Sequence, residues 1–459
     1  MGLQSPTSVY AGGFSYLQNL LGLDITKTKI FDLPINLAFG TEFRLEKYTQ
    51  KEGAEPSWQD YGKLTRSGQP KEAGFQVFRG FRPENATKKF RNNIGFYGDI
   101  EVELTKKSLL GLAGRFEDYS DFGSNFSWKA SYRYLISPTL TLRSTFNTGF
   151  RAPSLQQAYF SSHSLQFLPV GGEIMATEVA HANHESPIVR RLEIPNLKPE
   201  ISNNVSIGLA AQPAKNLSFT IDAYQIAIKD RIVLSGNLEP KANDQLYAIL
   251  SSSDISRIQF FTNAIDTKTT GLDAKLKYNR SFAQSRLDLL FGLHMNRTSV
   301  TKNVSPSDLL SDYVDAIFSR EEVARLESGQ PNSKLIFVAN FQQKKWDFMF
   351  RATRFGRVIY MHPMDQDPSR WVLNQYTDQY ESRDQLFNAK WICDVDVAMK
   401  VSPTLQLTLG LENLFDVYPN SHRHSANTNH GVLIYSRRVQ QFGVQGRRWV
   451  LKAIYKLGD

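Results

Sequence analysis

The stretch Ile35-Asn36-Leu37-Ala38-Phe39-Gly40-Thr41-Glu42-Phe43-Arg44-Leu45-Glu46 decides how the rest of this chain is read. Ile35, Leu37, Phe39, Thr41, Phe43 and Leu45 alternate with Asn36, Ala38, Gly40, Glu42, Arg44 and Glu46. A period of two places the first set on one face of a β-strand and the second on the other. The pattern returns in Ile94, Phe96, Gly98, Ile100, Val102 and Leu104 against Gly95, Tyr97, Asp99, Glu101 and Glu103. Leu405, Leu407, Leu409 and Leu411 repeat it against Gln406, Thr408, Gly410 and Glu412.

Working outward, the alternation predicts 15 strands, near 17–29, 35–50, 89–104, 107–118, 124–136, 139–150, 201–212, 217–234, 258–279, 285–300, 333–343, 345–358, 387–401, 404–413 and 446–457. Many run 11 to 16 residues. Ordinary strands average about five or six, whereas a tilted strand crossing a bilayer needs roughly 9–11. A soluble sandwich would bury the oily face against a second sheet; a membrane barrel turns it to lipid and keeps the charged face around a wet lumen. The expected fold is therefore all-β, an antiparallel transmembrane β-barrel portion, carried by one domain over 1–459.

The connections alternate too. Short turns at Phe31-Asp32-Leu33-Pro34, Thr105-Lys106-Lys107, Ser137-Pro138-Thr139, Ala214-Lys215-Asn216, Phe282-Ala283-Gln284, Gln343-Lys344-Lys345 and Ser402-Pro403-Thr404 alternate with long segments at 51–88, 151–200, 235–257, 301–332, 359–386 and 414–445. One intervening connection, 119–123, is short. Bacterial barrels have short periplasmic turns and long extracellular loops, which orients the chain and puts the C-terminal strand's end in the periplasm. Trp128, Tyr132, Tyr134, Trp346, Trp391, Trp449 and Tyr455 fall on strands, several near the ends, as interfacial girdles require. Helical spacing from Ser311 to Glu327 predicts a short surface helix in the fourth long loop.

Composition removes other classes. In 459 residues, 41% hydrophobic and 12% aromatic, no apolar run approaches the roughly 18 residues of a spanning helix. A mean hydropathy of −0.37 is what averaging an alternating pattern produces. The net charge of +9 is scattered over loops and turns, without a basic run or RNA-binding signature, so no nucleic-acid partner is expected. The single cysteine, Cys393, allows no internal disulfide and no metal pair. With no G-x-S-x-G elbow, H-E-x-x-H or Gly-rich phosphate loop, no enzymatic activity is expected. The first residues, Met1 to Lys27, lack the charged start, apolar core and small-residue site of a signal peptide, so the sequence reads as truncated at its N-terminus.

Four segments resemble the TonB-dependent outer-membrane receptors. Thr148-Gly149-Phe150-Arg151-Ala152-Pro153-Ser154, followed by Leu155-Gln156-Gln157, resembles their FRAPS box, and Ile194-Pro195-Asn196-Leu197-Lys198-Pro199-Glu200 the box that starts the next descending strand. Phe261-Thr262-Asn263-Ala264 with Thr270-Gly271-Leu272-Asp273, and Gly410-Leu411-Glu412-Asn413-Leu414-Phe415-Asp416, resemble two later boxes in the family's order. Ile194 stands where Asn is frequent, and Leu457-Gly458-Asp459 stands in place of a terminal aromatic.

The resemblance implies a receptor in the Gram-negative outer membrane. It implies TonB-energised uptake of a scarce nutrient such as an iron-siderophore or cobalamin complex, without a resident cofactor. It also implies about 22 strands around a plug domain, so that the plug, its TonB box and about seven strands would lie outside this sequence. Arg151 could then fork onto a plug carboxylate, and Glu42, Arg44, Asp99, Glu101, Asp222, Asp288, Lys390, Asp394, Asp396 and Glu412 could line the lumen for plug docking or simply face water. In the loops, His163, His181 and His184 form one group of ligand-binding candidates and His422, His424 and His430 another. The first group resembles the layout of haem receptors, while exposed loop histidines explain both groups equally. A passive porin or surface adhesin, and a soluble β-sandwich, remain the competing classes.

Overall fold

A computed structural model describes residues 6–30, 33–64, 68, 73–75, 79–170, 173–241, 244–252, 255–429 and 431–457. His430, the first half of the Phe31–Pro34 turn and the Gly458-Asp459 end fall outside the described residues.

The chain first runs through six long strands: β1 (Gly13–Lys27), β2 (Ile35–Lys51), β3 (Thr87–Thr105), β4 (Ser108–Tyr119), β5 (Gly123–Ser137) and β6 (Leu140–Arg151). After helix α1 (Leu155–Tyr159) comes a hairpin of β7 (Ser162–Val170) and β8 (Glu173–His181), then α2 (Pro187–Arg191). Two more long strands follow, β9 (Glu200–Ala214) and β10 (Leu217–Leu234), then α3 (Gln245–Ser251) and the short β11 (Arg257–Gln259). β12 (Phe261–Ser281), β13 (Ser285–Asn303), helices α4 (Val314–Ile317) and α5 (Arg320–Glu327), β14 (Ser333–Gln343) and β15 (Trp346–Phe355) continue the order. Four short strands, β16 (Val358–Tyr360), β17 (Val372–Asn374), β18 (Gln379–Glu381) and β19 (Gln385–Phe387), precede β20 (Lys390–Lys400), β21 (Leu405–Glu412) and β22 (Arg448–Tyr455).

The long strands form one 15-stranded antiparallel sheet in the order β1-β2-β3-β4-β5-β6-β9-β10-β12-β13-β14-β15-β20-β21-β22. Each strand pairs with its sequence neighbour once the loop strands are set aside, and β1 and β22 are its two edges, so the wall is open. All 15 expected strands are present. Three of the expected boundaries need correction, because Arg257–Gln259, Val358–Tyr360 and Gln385–Phe387 leave the wall and form small loop sheets instead.

The two faces of the wall separate chemically. Phe96, Phe116 and Phe126 are register partners across β3, β4 and β5, and all three are exposed, as are Phe43, Ile94, Leu407 and Leu409 on other strands. In a sandwich these side chains would be buried against a second layer. Among the described residues the wall's apolar face carries no such layer, which is the arrangement a lipid-facing band requires. The opposite face carries ion pairs instead: Arg143–Asp222, Arg351–Asp394 and Arg286–Asp288.

Buried apolar packing lies in the loops. Val189 of α2 and Leu192 just after it, Leu246 and Leu250 of α3, Ile258 and Phe260 around β11, and Leu310 and Ile317 before and within α4 form one core. Three long loops that sequence reading treated separately are thus one cap above β6 to β13. The helix expected from Ser311 to Glu327 is corrected in two ways. It is broken at Phe318-Ser319, with a 3-10 turn at Asp308–Tyr313 ahead of it, and its apolar side is core rather than surface, because Leu310 and Ile317 are fully buried. Val358, Tyr360, Phe387 and Val439 tie the last two long loops together in the same manner.

Candidate ligand-binding mouth

The family-like boxes meet at the strand tops. β6 ends at Arg151, whose register partner on β9 is Glu200, the last residue of the second box. The guanidinium forks onto that carboxylate, with Arg151 Nε donating to Glu200 Oε2 at 2.9 Å and Nη2 donating to Oε1. Glu200 also accepts the Ile232 amide at 2.8 Å. Asn263 of the third box accepts the Lys198 amide at 2.9 Å and donates to the Lys198 and Asp230 carbonyls at 3.0 and 2.6 Å. Arg151, Glu200 and Asn263 therefore join four strand ends into one joint. In the fourth box, Asn413 takes a left-handed backbone at φ 51° and closes a turn with Val417 through side-chain bonds of 2.8 and 2.9 Å. Asn tolerates that conformation better than most residues.

Past Arg151 the chain bends inward. Pro153 ends the strand, and Ser154 caps α1 by a reciprocal pair of 3.0 Å bonds with Gln157. Leu155 is buried. Gln50 on β2 donates to the Ser161 carbonyl at 2.6 Å, and Asn85 donates to the Ser161 hydroxyl at 3.1 Å, so the segment after α1 lies against the tops of β2 and β3. Arg79 and Arg82 pair with Glu178 of β8 at 2.9 and 2.6 Å and clamp the first long loop to this second one.

Under this bend is a cavity of about 880 Å³. Arg44, Arg91 and Arg115 line its wall with Glu46 and Glu117; Tyr16, Tyr119, Phe150, Phe160 and Phe261 supply rings; Arg151, Gln156 and Gln157 reach in from the bend. Every guanidinium has a carboxylate close by: Arg44 with Glu42 at 2.5 Å, Arg115 with Glu117 at 3.0 Å and Glu42 at 3.5 Å, Arg91 with Glu46 at 2.6 Å, and Arg151 with Glu200. A guanidinium has five N–H groups, so these pairs orient the forks and leave donors for a ligand.

Of the loop histidines, His181 lines the cavity, with Phe160 and Phe261 rings 5.0 and 5.3 Å away. Burial pushes its pKa down to about 4, so it is neutral at pH 7. His163 pairs across the hairpin with Ala180 while His181 pairs with Ser162, so the alternation of the strands turns the two imidazoles to opposite faces. Burial, then nearby Arg82, lowers His163, and burial lowers His184 and His422. His424 accepts the Ala426 amide at 3.1 Å and lies 3.3 Å from the Val372 carbonyl, a turn-stabilising role. The reading of these groups as exposed histidines is corrected: His184 and His424 are buried and His181 nearly so, because the loops pack into cores instead of projecting into water. Among the described residues no three His, Cys, Asp or Glu side chains gather with metal-ligand geometry.

The lumen candidates divide. Glu42 and Arg44 stand at the cavity; Asp222 receives two bonds from Arg143 at 2.9 and 2.5 Å, Asp394 pairs with Arg351 and caps the Asn413 amide at 2.8 Å, and Glu412 pairs with Arg448. Asp99 and Glu101 lie lower on β3 and make no ion pair among the described residues. Sequence reading missed Arg91, Arg115, Glu46, Glu117 and the aromatic lining. Alternation put Glu46 on the polar face, but only the infolded bend shows which positions enclose a cavity.

Residues 3–414 match the family described as TonB dependent receptor-like, beta-barrel. A curated relative, the iron-regulated outer membrane virulence protein of Vibrio cholerae, is 27% identical over 143 residues, covering 31% of this chain and 19% of the relative. Among solved structures, the siderophore receptor PirA from Acinetobacter baumannii superposes with a TM-score of 0.57 at 17% identity, over 96% of this chain and 55% of that one. For a variant of the ferric enterobactin receptor PfeA from Pseudomonas aeruginosa the values are 0.60, 14%, 96% and 54%. The outer membrane transporter YddB from Escherichia coli gives 0.62, 10%, 97% and 54%. This chain spans about a fifth of that relative and about half the length of those structures, whose low identity speaks for the fold alone. With an antiparallel wall whose apolar face is bare, boxes that lock its strand tops, and a family match over most of its length, the chain belongs to the TonB-dependent receptor β-barrel family.

Proposed function

We propose that this chain forms the wall and mouth of a Gram-negative outer-membrane receptor that takes up a scarce nutrient as a small-molecule metal complex, energised by TonB through a plug domain. The observation that carries this reading is the 880 Å³ cavity beneath the infolded bend, where oriented guanidiniums alternate with aromatic rings. Guanidinium forks suit the oxygen donors of an iron chelate, and the rings suit its aromatic arms. A passive pore is disfavoured, because the loops pack over the polar face instead of leaving a clear channel. The cavity performs binding and no bond chemistry, and the apolar face of the wall contacts lipid.

The test is uptake of radiolabelled ferric tricatecholate, ferric trihydroxamate, cobalamin and haem by iron-starved cells in which the gene is deleted and then restored, with and without TonB. Restoration of tricatecholate or trihydroxamate uptake only in the presence of TonB is expected. TonB-independent leakage of all four would overturn the reading. His181→Ala is expected to leave chelate uptake within about twofold of the parent, since a neutral imidazole between two rings adds packing and no charge. Loss of haem uptake alone in that variant would move the ligand to haem.

A further inference from the structure

We propose that Arg91 is the positioning residue of the mouth: it holds the Phe150–Ser154 bend in the geometry that shapes the cavity. The inference rests on the receptor reading above for its ligand arm only.

Arg91 faces inward near the top of β3 and is 5% exposed. Its Nε donates to Glu46 Oε2 on β2 at 2.6 Å, and its Nη1 donates to the Pro153 carbonyl at 2.7 Å. The same Nη1 lies 3.4 Å from Asp121 in the short connection after β4. The guanidinium sits 5.4 Å from the Tyr119 ring centre and 6.0 Å from that of Phe122. Tyr119 in turn stacks on Phe122 at 4.5 Å and meets Phe150 edge-on at 5.9 Å. One side chain thereby ties β2, β3, the β4–β5 connection and the bend together.

Geometry explains why arginine is needed. Pro153 lacks an N–H, so the bend cannot pair as a strand there, and its carbonyl finds its partner in the wall. Only a planar fork reaches Glu46 with one N–H and Pro153 with another while stacking on rings. Glu46 holds that fork in place and is itself held by the Tyr16 hydroxyl. The bend brings Arg151, Gln156 and Gln157 to the cavity, so releasing Pro153 moves ligand-facing groups without touching them.

The test combines hydrogen exchange with binding, in outer membranes carrying the receptor. Arg91→Met alone strands the Glu46 carboxylate, so Arg91→Met is paired with Glu46→Gln, and Arg91→Lys serves as the conservative variant. In the double variant, amide exchange in the 150–160 peptide is expected to rise about tenfold or more while peptides from β9 to β15 stay as protected as in the parent. Ferric tricatecholate binding is expected to weaken about tenfold, with Arg91→Lys in between, because an ammonium satisfies Glu46 or Pro153 but not both in one plane. Unchanged exchange in 150–160 would overturn the proposal, as would a loosened bend with undiminished tricatecholate binding. Should the parent receptor bind ferric trihydroxamate instead, that chelate takes its place in the binding arm; should it bind neither, the chelate reading falls and the exchange measurement alone decides the role of Arg91.

Discussion

The wall and the cap above it use the same apolar residue types in opposite ways. In the wall, Leu407, Leu409 and Phe126 are exposed, and the sheet is held by its hydrogen-bond ladder and by polar pairs on the other face. In the cap, Leu192, Leu250, Ile258 and Ile317 are fully buried, and three loops with little regular structure are held by that core. The wall's stability waits on a surrounding hydrocarbon phase, whereas the cap folds as a water-soluble protein does. The cavity lies at their border, where Arg91, Arg151 and Glu200 fasten one to the other.

That contrast can be broken in order of expected effect. Leu250→Ala should destabilise the cap by about 2–5 kcal/mol, seen as protease cleavage within 235–257, while Leu409→Ala leaves the wall's heat-resistant migration in gels unchanged. Equal effects would erase the distinction. Phe116→Arg on the apolar face should cost about 2–4 kcal/mol if it lies near the bilayer midplane, whereas Glu101→Arg on the polar face should stay within about 0.5 kcal/mol, both read by refolding into vesicles.

Acid sharpens the comparison through the packed loops. Burial pushes His181 and His362 down to about 4 from an ordinary 6.5, and His362 Nδ1 accepts the Met364 amide at 3.2 Å, which requires the neutral ring. The unfolded loops bind protons first. The stability these two groups lend the packed loops should therefore be full above pH 6.5, decline between 6.5 and about 4, and fall no further below that. Loop exchange measured across this range should show a weaker dependence in His181→Ala, His362→Ala, the remainder belonging to the other buried loop histidines His163, His184 and His422, with wall peptides indifferent throughout. A small effect, about 0–1 kcal/mol, is also expected for Glu412→Gln, whose partner Arg448 is exposed.

Reading the sequence recovered the wall because each strand announces itself locally. Side-chain period, strand length and turn residues such as Lys344, at φ 51° in its two-strand turn, are properties of neighbouring residues. The same logic failed in the loops. The β7–β8 hairpin and its parallel partner β11 join residues 162–181 to 257–259, and no local pattern marks such a pairing. The histidines were legible as residues and illegible as environments: His181 in a cavity, His184 in a core and His424 in a turn look alike in sequence.

What the amino-acid order determined by itself is the wall: 15 strands, their register sense, the face each side chain takes and the boxes that carry the family resemblance. What only the tertiary structure decided is the mouth, in which Arg91 on β3 meets both Pro153 some 60 residues later and Glu46 near the top of β2. The physical reason is range. Alternation and turn chemistry act over a few residues, while a cavity is enclosed by side chains whose nearness depends on how loops distant in sequence bury their apolar surface together.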